Sequence, residues 1–140
     1  MSDSVKKFLR WTLGVEGAPK FEPTAEDVKT LMAAGISLFA VTLDKYFDDD
    51  PTPAQAAELA TKVRQTWVQP EGLNPVLAER VILNAYGDED LVDDVPRTEV
   101  ARIEHILSYG IRRELKIEDG PALEALLDEV IAVMNGQVKG

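Results

Sequence analysis

Apolar residues recur at helical spacing along nearly the whole chain, and no convincing strand-type alternation occurs. That periodicity confines a chain of 140 residues to an all-α fold. Helix starts are marked as plainly as helix faces. Thr52-Pro53, Asn74-Pro75 and Gly120-Pro121 each place proline where a helix begins, at a position whose N–H has no intrahelical partner anyway. Thr52 with Gln55 completes a capping-box pattern.

Six helices follow from these signals. The first covers about residues 3–13, with Val5, Phe8, Leu9 and Trp11 on one side. A loop rich in Gly and Pro comes next, and Thr24 with Asp27 resembles a capping box. Val28, Leu31, Met32, Gly35, Ile36, Phe39, Leu43 and Tyr46 then share one stripe whose phase is unbroken across Gly35. This predicts one long helix over about 25–47 rather than a broken pair. The third helix starts at Pro53 and buries Ala56, Leu59, Ala60, Val63 and Trp67. The fourth, 75–86, has so few polar positions that it is expected, with 25–47, to be most central. The fifth, about 97–115, groups Val100, Ile103, Ile106, Leu107, Gly110 and Ile111. The sixth starts at Pro121, turns Leu123, Leu126, Leu127, Val130 and Met134 inward, and stops at Gly136. Residues 137–140 should fray.

The expected architecture is a compact all-α bundle of five or six helices in one domain spanning residues 1–140. Gly35 and Gly110 both lie on the buried stripe of their helices. An interior glycine is about 1 kcal/mol less favourable than alanine in a helix. Close approach would offset this, so the second and fifth helices are expected to cross near these two residues.

Net charge is −10 and unevenly spread. Residues 21–60 carry eight acids against two bases, and residues 81–100 six against one. A phosphate-backbone binder needs concentrated Lys and Arg, so nucleic acid is not an expected partner. The segment from Ala56 to Ala60 and the turn after it resemble a helix-turn-helix only faintly: the turn glycine is missing and the flanks are not basic. The absence of Cys removes disulfides and thiolate chemistry. No signal-type apolar run opens the chain and no stretch approaches spanning length, so a cytoplasmic home is expected.

Two acidic stretches stand out. Asp44, Asp48, Asp49 and Asp50 gather at the end of the second helix, where the macrodipole disfavours anions. Asp88, Glu89, Asp90, Asp93 and Asp94 fill the connection between the fourth and fifth helices. Tested as a calcium loop beginning at Asp88, the second has Asp90 at position 3 and Glu99 at position 12. Position 5 is Val92 and position 6, which needs glycine, is Asp93. The motif fails, and no metal site or cofactor is assigned. Catalytic inventory is thin. The single histidine, His105, falls about 170° from the centre of its helix's stripe and is expected to be exposed. No nucleophile elbow and no phosphate-cradling glycine loop occurs.

Lys6, Lys7 and Arg10 make the first helix basic and amphipathic, suited to docking onto the domain in preference to contact with a membrane surface or an acidic partner, and Arg112, Arg113 and Lys116 form a second basic patch able to pair with acidic loops. The expectation from charge and subtraction is a non-enzymatic interaction or regulatory module, of the inhibitor, immunity-type or adaptor kind. It would present its acidic loops to a protein partner with a basic face. Two alternatives stand beside it. One is an enzyme using carboxylates or a divalent metal, which would need carboxylates converging in a concave pocket. The other is a structural subunit of a larger assembly, with Trp67 and Tyr86 as interface residues. A ligand cavity between nearly all-apolar helices is also open.

Overall fold

A computed structural model describes residues 2–15, 28–86 and 91–134. Among them six α-helices follow one another: α1 (Ser2–Thr12), α2 (Val28–Tyr46), α3 (Pro53–Thr66), α4 (Pro75–Asn84), α5 (Arg97–Glu114) and α6 (Pro121–Met134). A 3-10 turn, Pro70–Gly72, precedes α4. The fold is an all-α bundle. The expected cap at Thr24 and Asp27, residues 25–27, the acids Asp88, Glu89 and Asp90, the stop at Gly136 and the tail after it lie outside the described residues.

The helix starts follow the chemistry of their caps. At α3 the Thr52 hydroxyl accepts from the Gln55 N–H at 3.2 Å, and the Gln55 side chain accepts from the Thr52 N–H at 2.9 Å. Two otherwise orphaned donors are satisfied reciprocally. At α4 Asn74 Oδ1 accepts from the N–H groups of Val76 and Leu77. α2 runs unbroken through Gly35.

α1 and α5 end alike. At α1 the Val15 N–H donates to the Arg10 carbonyl and the Gly14 N–H to that of Trp11. At α5 the Ile117 N–H donates to Arg112 and the Lys116 N–H to Arg113. Both are Schellman closures, in which the residue after the cap turns left-handed. Gly14 does so at φ 70° and Lys116 at φ 58°. Val15 and Ile117, the next residues, pack against the same apolar cluster.

α2 stands between two clusters of buried side chains. Phe39 and Leu43 face α3, α4 and α5, where Leu59, Val63, Ile82, Ile103, Leu107 and Ile111 are buried. Leu31, Ala34, Leu38 and Val41 face α1 and α6, with Leu9, Leu13, Leu123 and Leu127. α2 is central, as its near-continuous apolarity predicts. α4 is less so: among the described helices its main neighbours are α3 and α5, Leu77 and Leu83 are half-buried, and just past its end Ala85 is exposed and Tyr86 half-buried. The second central helix is α5, which touches α2, α3 and α4. Few polar positions on a short helix at the margin are a weaker guide than contact on two sides.

Salt bridges dock α1 on α6. Lys6 reaches Asp128 at 3.0 Å and Glu124 at 3.6 Å, and Arg10 donates to Glu124 at 2.7 Å. Arg112 is no surface patch. It is 2% exposed and donates to the carbonyls of Leu13 (2.8 Å) and Ile117 (2.9 Å) and to the Asp119 carboxylate. One guanidinium thus ties the ends of α1 and α5 to the approach of α6. Planar, multiply donating Arg suits this and Lys would not.

Candidate functional site: an apolar groove and an acidic corner

The first halves of α2 and α5, with the turn at 91–95 and Phe8 of α1, enclose a groove of about 620 Å³. Its position follows from the helix crossing. An added Cβ at Gly35 would lie 2.8 Å from His105 Nε2, so the missing side chain is what admits the imidazole against the α2 backbone. The Phe8 ring meets that imidazole edge-on, with centroids 5.5 Å apart. The 91–95 turn is held by Arg80 of α4, which donates to the Leu91 carbonyl at 2.8 Å and to the Asp94 carboxylate.

His105 is therefore not the exposed residue its wheel position suggests. The apolar stripe of α5 packs on α3, α4 and the Phe39–Leu43 part of α2, and α2 also runs past His105 at Gly35. The histidine lies half-buried, and burial lowers its pKa. Met32 and Ile36 are corrected in the opposite sense. They share the predicted stripe of α2 but are 43% and 54% exposed, because no described element covers that part of the helix. Glu104, on α5 beside His105, is pushed up to about 7. Burial alone is the cause: an apolar wall disfavours the charged form of a carboxyl. Asp93 and Arg97 line the same groove but are exposed, and Asp93 does not contribute to the Glu104 shift.

Gly110 takes a different partner from Gly35. An added Cβ there would meet Val63 of α3, not α2. The α2–α5 crossing is close at Gly35, and the α3–α5 crossing is close at Gly110. A helical wheel gives the direction of a glycine but not the helix it meets.

The acidic stretches divide by what faces them. Asp44, Asp48, Asp49 and Asp50 are all exposed, and no ion pair among the described residues engages them. Lys45, the base within the run, points to Glu129 of α6 at 3.0 Å. The field of this corner reaches the turn after α4: the Tyr86 hydroxyl is pushed up to about 12, first by burial and then by Asp44 and Asp50. That hydroxyl has no hydrogen-bond partner among the described residues. Asp94 is committed to Arg80, which lowers its pKa, and Asp93 is on the groove. Among the described residues no three His, Asp or Glu side chains gather as metal ligands would. No described helix is long and apolar enough to cross a membrane. Trp67 is internally engaged: its indole N–H donates to Glu114 at 2.5 Å and Arg113 lies over its ring.

Sequence reasoning misses Glu104, and it leaves a cavity between apolar helices open without locating the groove. The available signal is Glu104 and His105 together on a helix whose opposite face is already apolar, which becomes meaningful only once α2 is seen to cover that side. Compared with known proteins, the chain matches no family model, no curated protein and no solved structure.

Proposed function

We propose that this protein is a non-enzymatic interaction module that presents the acidic corner at the end of α2 to a protein partner with a basic face. One observation carries the proposal. Asp44, Asp48, Asp49 and Asp50 are exposed and without an ion pair among the described residues, and they are gathered within one turn and the residues after it. Glu58, Glu71, Asp93 and Glu118, likewise exposed without one, stand singly, and Asp94, Asp119, Asp128, Glu99, Glu114, Glu124 and Glu129 each have a Lys or Arg facing them. Carboxylates at a helix C-terminus oppose the macrodipole. Their placement there without an internal cation suits an external one, and a concentrated negative potential speeds and orients the approach of a basic surface.

The test is recovery of a partner at about 0.05 M and about 0.5 M salt, across which the screening length falls roughly threefold. Recovery should drop at high salt and in the variant carrying Asp→Asn at positions 44, 48, 49 and 50. Recovery indifferent to both would remove the proposal. A second reading, an enzyme working through a carboxyl, is favoured by Glu104 in the groove beside His105. It requires turnover with an inflection near pH 7 that Glu104→Gln abolishes.

A further inference from the structure

We propose that the groove between α2 and α5 is a binding site for an organic cation with an apolar body, its cationic end on Glu104 and its body along Met32 and Ile36. The inference is independent of the acidic corner. The groove's volume of about 620 Å³ lies within the usual range for small-molecule sites. Its walls are apolar, from Leu31, Met32 and Ile36 on α2 to Val92 and Val95 on the turn and Val100 on α5. Met32 and Ile36 are large apolar side chains left open to solvent in a fold that buries most of theirs, and grouped exposure of this kind marks contact surfaces.

Charge selects the ligand class. α1 and α2 contribute no titratable group to the groove. The turn and the start of α5 contribute Asp93 and Arg97, opposite in sign and both exposed. His105 is held towards its neutral form by burial. Glu104 decides the sign. No cation or donor among the described residues contributes to its ionisation, and burial holds it up to about 7. A desolvated carboxyl without a partner is an unmet demand for positive charge. An ammonium entering the groove meets it: the carboxyl releases its proton to solvent, and the resulting carboxylate accepts a charge-assisted hydrogen bond from the ammonium N–H. The apolar body covers Met32 and Ile36. The chain's net charge of −10 favours the same sign of ligand.

The experiment is calorimetric titration of the full chain with three probes of one chain length: octylammonium, octanol and octanoate. Octylammonium should bind about tenfold or more tighter than octanol, the worth of one hydrogen bond to a charged group, and octanoate least. Octylammonium affinity should fall about tenfold from about pH 8 to about pH 6, as a carboxyl titrating near 7 takes up its proton. Glu104→Gln should bring octylammonium down to octanol and erase that pH dependence. Ile36→Ser, at an exposed position, should weaken both while leaving the pH dependence intact. Octanoate binding as tightly as octylammonium would overturn the proposal, as would a pH dependence unchanged in Glu104→Gln. So would light scattering that finds a dimer through this groove which excludes octylammonium.

Discussion

Substituting alanine for Gly110 tests how tightly α3 and α5 are packed. The added Cβ would lie 2.6 Å and 2.7 Å from the two Val63 methyls and 3.1 Å from Val63 Cβ. Carbon atoms rest at about 3.5–4.0 Å, so the overlap is close to an ångström. Val63 is fully buried and, being β-branched in a helix, is held near one rotamer. Both of its methyls already face the glycine, so rotation relieves little and the helices must part. Overpacking of this kind costs about 1–3 kcal/mol, and the gain in helix propensity returns about 1 kcal/mol. The contacts are short and the neighbour is stiff, which places the packing penalty at the upper end. A net loss of about 2 kcal/mol follows, or about 7 °C in Tm for a chain of this size. Gly35→Ala is the control. Its nearest contact is the imidazole end of His105, which has the groove to swing into, so its loss should be smaller. Thermal unfolding of Gly110→Ala, Val63→Ala and the double variant closes a cycle. Relief of the clash should appear as a favourable coupling of about 1–2 kcal/mol. A higher Tm for Gly110→Ala, or a coupling near zero, would refute the close approach.

Three further outcomes are expected. Lys116→Gly should stabilise the protein by about 1 kcal/mol, because the left-handed closure of α5 holds a residue with a Cβ where glycine is unstrained; chemical denaturation measures it. Arg112→Met should destabilise by about 3 kcal/mol, since two carbonyls lose a charged donor while Asp119, half-exposed, keeps water; the same assay applies. Glu104 has a folded pKa raised above its unfolded value, so the folded state binds the extra proton between about 4.5 and about 7. Stability therefore falls as pH rises through that window and is flat above it. Glu104→Gln should remove the slope and gain about 1–2 kcal/mol at about pH 8, a value reduced from the full shift because the groove admits solvent.

The helices were readable because their signals are local. A capping oxygen, a proline at the first turn and apolar residues every three or four positions act within one segment, and α3, α4 and α6 begin where Thr52, Asn74 and Gly120 announce them. What depends on a second segment was not readable. Arg112 belongs by spacing to a basic patch, and only the arrival of Leu13, Ile117 and Asp119 around it makes it an interior group. His105 points away from its own helix's stripe and is half-buried because α2 lies there. Ile36 shares a stripe with Leu31 and Phe39 yet is exposed, because no described element lies above it. Glu104 has the same cause: its ionisation is set by walls drawn from α2 and the 91–95 turn. The candidate site was thus the least legible part of the chain, since its chemistry arises where separate segments meet.

The placement of α2 between two buried clusters bears on vectorial synthesis. One face of α2 is completed by α3, α4 and α5, which follow it directly in the chain. The other is completed partly by α6, whose Leu123, Leu126 and Leu127 lie some 80–90 positions beyond Leu38 and Val41. Contacts that distant in sequence form late. A chain emerging from the ribosome can therefore assemble the α3–α5 side while Leu31, Leu38 and Val41 still await α6. During that interval α1 is the described element already made that packs on the same side of α2, and its Lys6 and Arg10 have yet to meet Glu124 and Asp128.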